Sequence, residues 1–312
     1  MFQDVPLLLY EAALLLCSFL PPRVALFLAG RVGALNFWWT SYQQPKPMSA
    51  IATQMVRRLG ADPDLVQRWL RRTFELSAIQ DCEDWLLPRL TRKTADRLVQ
   101  IDGVEHLSAA LGQGRGAVLV TAHFMSTRLV LGSLLLRGYP LVLRRPGRRE
   151  APSRSFSEWI LRRSLRGLEA LGCRLFYLAG RRQFASTYFW NALKRNEIVV
   201  QFADSVVTNE RLIEVEFVNQ MTRLDPEWAV LAATARAPVL PIWIHRPTRS
   251  GPAVAVIGEP LEVGRNHRAA VEQEARHFGA EILRDPACWN RWLNLLRRAR
   301  NAQARPSEPV NE

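Results

Sequence analysis

The sequence predicts an α/β fold with a mostly parallel central sheet flanked by helices, preceded by an N-terminal apolar helical arm. Three observations carry this expectation. From residue 116 onward, short apolar runs of strand length alternate with stretches of helix length, the rhythm of a parallel sheet covered on both faces. The first 42 residues are dominated by two apolar runs. The chain has 312 residues, 48% of them hydrophobic, enough for one large core or one core plus an arm.

The arm comes first, as residues 1–42. Val5 to Leu20 is almost wholly apolar, interrupted by Glu11; Pro21, Pro22 and Arg23 follow, and a second apolar run from Val24 to Trp39 is broken by Arg31. Neither run reaches the ~20 residues that comfortably span a bilayer. A signal peptide fits poorly, since no basic region leads the run and no small-x-small cleavage site follows it. Phe37, Trp38, Trp39 and Tyr42 cluster at its end, as interfacial aromatics do. Membrane contact is therefore expected, as a short or tilted transmembrane helix or as a helical hairpin in one leaflet. The alternative is a pair of buried core helices.

An α/β domain is expected over residues 43–300. Residues 62–87 read as helix, with Pro63 near the first turn and apolar positions at Leu65, Trp69, Leu70, Phe74 and Ile79. Leu98 to Glu105 is strand-like and Ser108 to Leu111 helical. Strands are then expected at 116–121, 140–143, 174–178, 197–203, 213–218, 238–245 and 253–257. Helices are expected at 126–136, 152–171, 183–194, 226–235, 269–283 and 288–300. Residues 301–312 are polar, carry Pro306 and Pro309, and read as a disordered tail.

Charge narrows the partners. The net charge is +13, which calls for a polyanionic surface or substrate. Only Lys46, Lys93 and Lys194 are lysine; a genomic bias towards arginine explains that ratio but not the charge excess. The basic residues suit anionic membrane lipid. Nucleic acid is not indicated, because the aromatic and basic residues form no recognisable binding motif. Cys17, Cys82, Cys173 and Cys288 lie far apart without a CxxC, so zinc ribbons and iron–sulfur clusters are not expected. They read as reduced, buried thiols of a chain whose bulk is cytosolic. The chain also lacks a P-loop, a glycine-rich dinucleotide loop and a Gly-x-Ser-x-Gly elbow. No metal and no cofactor is implied.

The sharpest feature is the run from Gly114 to Phe124, in which an apolar strand ends and His123 follows before a helix. Ligands of open α/β sheets bind beyond the carboxyl ends of the strands, and histidine is suited to proton transfer near neutral pH. A lone histidine after a strand is weak evidence by itself.

The stretch IDGVEHLSAALGQGRGAVLVTAHF (101–124) resembles the bacterial lipid A late acyltransferases, the lauroyl/myristoyl-transferase branch of the lysophospholipid-acyltransferase-like superfamily. Further matches follow in order. LVLRRP (141–146) looks like the family's Tyr-Arg-Pro strand end. NALKRNEIVVQFADS (191–205) looks like its Leu-Lys-x-Gly…Asp-Gln block, with Asp204 at the aspartate. VEFVN (215–219) stands at its Phe-Phe-Gly type strand. AATARAPVLPIWIHR (232–246) looks like its Ala-Pro-Val-x-Pro strand, and DPACWNRWLNLLRR (285–298) like its closing Pro-x-x-Trp segment. The resemblance covers about residues 5–300 and implies a glycerolipid-acyltransferase-like fold and acyl transfer. A histidine would deprotonate an acceptor hydroxyl, which attacks the thioester of an acyl carrier protein or coenzyme A. Such chemistry needs a base, an orienter for it and positive charge at the oxyanion.

The sequence departs from the family where the orienter belongs. The family motif is His, four residues, then Asp or Glu; here His123 is followed at that spacing by Arg128. A guanidinium cannot orient an imidazolium, although it can serve an oxyanion or a phosphate. Asp204 follows a strand end on the same sheet edge, and the resemblance makes it the best substitute, with a turn cap as its alternative role. Glu210 and Asp225 are weaker choices. Arg144, Arg145, Arg162, Arg163 and Arg166 form a basic cluster. Arg145 and Arg166 are the candidates there for substrate phosphate, Arg166 being the closest match to the family's arginine; a solvated helix face is the alternative for most of them.

The catalytic candidates are thus His123, Arg128 and Asp204. The expected function is a membrane-bound acyltransferase at the cytoplasmic face of a bacterial inner membrane, acting on a hydroxyl of a lipid or glycolipid such as a lipid A-like acceptor. Three readings of the site stay open: a rearranged active dyad, an unusual substrate, or lost catalysis. In the last case the chain would be a degenerate, membrane-docked lipid- or carrier-binding protein.

Overall fold

The fold grows around β2 (Ala117–Thr121), whose five residues are all buried. A strand covered on both faces needs an unbroken apolar run, and Ala-Val-Leu-Val-Thr supplies it. A computed structural model describes residues 5–145, 156–177, 185–204, 212–261, 263–264 and 266–293. Its main sheet has seven strands in the order β1-β9-β8-β2-β5-β3-β4. These are β1 (Val99–Asp102), β3 (Leu141–Arg145), β4 (Arg174–Tyr177), β5 (Ile198–Phe202), β8 (Val239–His245) and β9 (Ala253–Ile257) around β2. Every pairing is parallel except that of β8 with β9.

The crossovers are α6 (Val104–Leu111), α7 (Thr127–Leu136), α8 (Phe156–Ala170), α9 (Ala185–Lys194) and α10 (Glu227–Ala235), and α11 (His267–Arg284) follows the last strand. The predicted strand at 213–218 is placed differently. It is β6 (Ile213–Glu216), and it forms a separate antiparallel hairpin with β7 (Met221–Leu224). Its burial alternates as a one-sided strand does, with Val215 the buried residue. The predicted helix at 288–300 also starts later. Pro286–Cys288 is a 3-10 turn, Trp289 is extended and bridges Phe124, and helix begins at Arg291. The pairing with the loop at Phe124 holds the segment extended, since it engages the Cys288 carbonyl and the Asn290 N–H. Most of the predicted helix, and the predicted tail, lie outside the described residues.

The arm is α1 (Val5–Cys17) and α2 (Pro22–Gln43), followed by α3 (Pro45–Leu59) and the long α4 (Pro63–Leu86). α4 starts where Asp62 caps it, its carboxylate accepting from the N–H groups of Asp64 and Leu65. The short α5 (Arg92–Leu98) follows. α3 and α5 are not among the predicted elements, although Met48, Ile51 and Met55, buried on α3, recur at helical spacing. One stripe of α2, Leu26, Ala29, Gly30, Gly33 and Phe37, is buried, a spacing that faces one neighbour. That neighbour is α4. A Cβ on Gly33 would sit 2.5 Å from the Phe74 carbonyl oxygen, so the close crossing requires glycine.

The opposite side of the arm is apolar and open: Leu9, Leu16, Phe19, Phe27, Leu35, Trp38 and Trp39 are all more than half exposed. Among the described residues no helix is long and apolar enough to cross a membrane. The arm therefore has a core-packed face and an unpartnered apolar face. All four cysteines are buried and free.

Candidate active site

Sheet register builds the site. β2 and β5 are parallel neighbours with Thr121 opposite Phe202. His123 and Asp204 each lie two residues beyond those ends, so both leave the carboxyl edge of the sheet at the same level. His123 Nδ1 lies 2.5 Å from Asp204 Oδ1, and the His123 backbone N–H donates to Oδ2 at 3.0 Å. Trp289 Nε1 donates to the same Oδ2 at 2.9 Å. Phe202 stacks on the imidazole at 4.4 Å between centroids.

The electrostatics fix the tautomer. Asp204 is buried, which by itself would push its carboxyl up. The His123 ring beside it and bonded to it, the Arg291 guanidinium and the His123 N–H overcome this and hold it well below the usual carboxylate range. An ionised Asp204 can only accept, so His123 Nδ1 carries a proton, and the neutral ring that a general base requires has its lone pair on Nε2. The Asp204 side chain is 2% exposed and that of His123 30%, which leaves the imidazole edge reachable from solvent.

The C-terminal segment clamps the loop after β2. Met125 N–H donates to the Cys288 carbonyl at 2.7 Å, and Asn290 N–H donates to the His123 carbonyl at 2.8 Å. This short pairing also carries Arg291 in. Its Nη2 lies 3.3 Å from His123 Nε2 and 3.3 Å from the Asp204 carbonyl oxygen, and its Nε is 3.6 Å from Asp204 Oδ2.

Behind the loop, α4 supplies polar support. Gln80 Oε1 accepts from the Ser126 N–H at 3.1 Å. Ser126 has a left-handed backbone (φ +62°), a conformation that costs a non-glycine residue roughly 1–2 kcal/mol. Arg246 donates to Ser126 Oγ at 3.1 Å and forms a buried ion pair with Glu83.

Arg128 does not join this group. In the first turn of α7 it faces α4, and its Nε and Nη2 donate to Asp84 Oδ1 and Oδ2 at 2.7 and 2.5 Å. Arg144 is likewise engaged, with Glu227 on α10. Arg166 is exposed on α8. Arg145 ends β3, with its side chain outside the described residues, as is Glu210. Asp225 is buried and accepts from the Glu227 N–H at 3.0 Å, so it serves a turn. The sequence reading missed Trp289 and Arg291. Their signal was present in the closing Pro-x-x-Trp segment, but nothing local in it says that it returns to the histidine.

An α/β sheet that presents at its carboxyl edge an imidazole with an ionised carboxylate bonded behind it has the parts that proton abstraction needs. The chain belongs to the bacterial lipid A biosynthesis acyltransferase family, whose profile it matches over residues 5–298. It is an acyltransferase that moves groups other than aminoacyl groups, within glycolipid-type lipid metabolism, with an acyl donor and a lipid acceptor as its substrates. Its relatives include a phosphatidylinositol mannoside acyltransferase of Mycobacterium tuberculosis strain H37Rv, 29% identical over 243 residues, which are 76% of this chain and 71% of the relative. The same-named protein of strain CDC 1551 is 30% identical over 230 residues, 72% of this chain and 70% of the relative.

Proposed function

We propose that this protein transfers a fatty acyl group from an acyl-carrier-protein or coenzyme A thioester to a sugar hydroxyl of an anionic membrane glycolipid. His123 is the general base through Nε2, and Asp204 holds the ring. The observation that carries this is the 2.5 Å contact between His123 Nδ1 and Asp204 Oδ1. It supplies, from the neighbouring strand, the carboxylate missing at position 128. The named relatives favour a mannosylated phosphoinositide over lipid A itself as the acceptor class. Arg128 is assigned to support, since Asp84 engages it in a bidentate pair. Arg145 and Arg166 are assigned to substrate phosphate.

The reaction is placed at the cytoplasmic face of a bacterial inner membrane, where thioester donors are made. The exposed apolar face of α1 and α2 would lie in one leaflet as a hairpin, and the basic remainder of the chain suits anionic lipid and an acidic carrier protein. The degenerate, non-catalytic reading rests on Arg128 alone, and the His123–Asp204 pair removes its main support. The test is mass spectrometry of lipids from cells with and without the gene. A glycolipid that loses one acyl chain in the deletion, and regains it with wild type but not with His123→Ala, is the expected result. An unchanged lipid profile contradicts the proposal.

A further inference from the structure

A base and its orienter leave one requirement of acyl transfer unmet, a cation where negative charge develops on the carbonyl oxygen. We infer that Arg291 is that cation, and that at rest it caps the base. The inference rests on the acyl-transfer reading above.

Three features single out Arg291. Its Nη2 lies 3.3 Å from His123 Nε2, the nitrogen that takes the proton. Among the described residues its donors are poorly used: both hydrogen bonds are at 3.3 Å, and its buried Nε has no hydrogen-bond acceptor. Arg128, Arg144 and Arg246 each hold a carboxylate closely, whereas among the described residues the nearest carboxylate oxygen of Arg291 is 3.6 Å away. Finally, its neighbours are anchored while its side chain reaches the mouth. Trp289 and Asn290 are bonded to Asp204 and His123, Trp292 Nε1 donates to the Pro286 carbonyl at 3.0 Å, and the Arg291 side chain is 26% exposed.

Geometry then places the charge. The attacking hydroxyl oxygen sits about 3 Å from Nε2 and about 3 Å from the thioester carbon. A guanidinium already touching Nε2 therefore stands beside the carbonyl oxygen. The acceptor O–H gives its proton to Nε2 as its oxygen bonds to the carbonyl carbon. The carbonyl π pair moves onto oxygen, and that oxyanion takes the N–H groups of Arg291. On collapse the C=O re-forms, the C–S bond breaks with its pair going to sulfur, and the proton on Nε2 passes to the leaving thiolate. Before substrate arrives, an Arg291 N–H occupies the Nε2 lone pair, so the hydroxyl must displace it.

The test compares wild type, Arg291→Ala, Arg291→Lys and His123→Ala. Palmitoyl-CoA and palmitoyl-acyl carrier protein serve as donors, with vesicles containing phosphatidylinositol dimannoside as acceptor. Arg291→Ala should lower kcat by about 10²–10³-fold with KM values moved by less than about 3-fold. Added guanidinium ion should restore part of that activity and none of the activity of His123→Ala. A raised KM at unchanged kcat would make Arg291 a substrate anchor and overturn the inference. So would a wild-type kcat in Arg291→Ala alongside an inactive His123→Ala. Full activity in His123→Ala would instead remove the base assignment itself. A readout independent of turnover is site-resolved modification of His123 by diethyl pyrocarbonate. The uncapped Nε2 of folded Arg291→Met should react several-fold faster than wild type, and equal rates would overturn the capping.

Discussion

His123 and Asp204 stand 81 positions apart in the chain, yet Nδ1 and Oδ1 meet at 2.5 Å. The parallel register of β2 and β5 sets that meeting, and burial makes it strong. Its pH signature follows from the depressed Asp204 carboxyl, whose opposing influences are burial, which raises it, and the His123 and Arg291 contacts that prevail. A carboxylate held low contributes stability that is complete above its unfolded pKa of about 4. That stability is lost as pH falls from there through the folded value. Urea unfolding of wild type and Asp204→Asn should therefore show a stability gap at pH 7 that narrows below about pH 4. A gap constant with pH would contradict an ionised Asp204.

Arg128 and Asp84 form the second pair. Asp84 is 3% exposed on its side chain, so removing its guanidinium strands a buried carboxylate, at a cost of about 3–5 kcal/mol. Arg128→Glu should be worse than Arg128→Ala, and neither should raise activity, because the carboxylate that serves His123 is already in place. Replacing both, as Arg128→Met with Asp84→Leu, should destabilise less than Arg128→Ala. Thermal melts of the purified variants read this directly. A stable and more active Arg128→Glu would mean that position 128 still belongs to the chemistry.

Glu11 gives the arm a pH dependence. It sits against α4, where Trp85 Nε1 donates to Oε2 at 3.2 Å. Burial first, then Asp81 and Asp84, raise its carboxyl to about 8 against the opposing Trp85 bond. The folded chain thus keeps a proton that the unfolded chain releases above about pH 4.3. Stability contributed at this site falls as pH rises from there to about 8 and is flat beyond. Glu11→Gln should remove that fall and be the more stable protein at pH 8. Parallel stability curves for wild type and Glu11→Gln would refute the assignment.

The exposed aromatics of α2 should matter to membranes and not to folding. Trp38 and Trp39 are 60% and 51% exposed, whereas Phe37 between α2 and α4 is 6% exposed. Trp38→Ser with Trp39→Ser should weaken sedimentation with anionic vesicles at high salt while the melting temperature stays within about 2 °C. Salt alone releasing the wild-type protein would leave only electrostatic adsorption.

Much of this was legible in the sequence, for physical reasons. The run from Ala117 to Thr121 announced a doubly buried strand, and the same rhythm gave the other parallel strands. His123 and Asp204 were visible because each follows such a strand. Their contact was not derivable from spacing, since strand order decides which ends are neighbours, and β2 pairs with β5 rather than with β3. Arg128 misled for the opposite reason. Its position in the motif pointed to His123, but the first turn of α7 turns it to Asp84, a residue with no local link to it. β7 stayed hidden because Met221–Leu224 is short and mostly uncovered. The site role of Trp289 and Arg291 depends on a backbone pairing between Phe124 and Trp289, a contact that no local pattern encodes.

The central claim is that His123 and Asp204 act as one unit on the acceptor hydroxyl. The most direct measurement is a double-mutant comparison of kcat for thioester-to-glycolipid transfer in folded His123→Ala, Asp204→Asn and the combined variant. The account predicts a loss of about 10²–10⁴-fold in each single variant and no further loss in the double variant beyond the worse single. Losses that multiply in the double variant, or a His123→Ala protein within a few-fold of wild type, would contradict it.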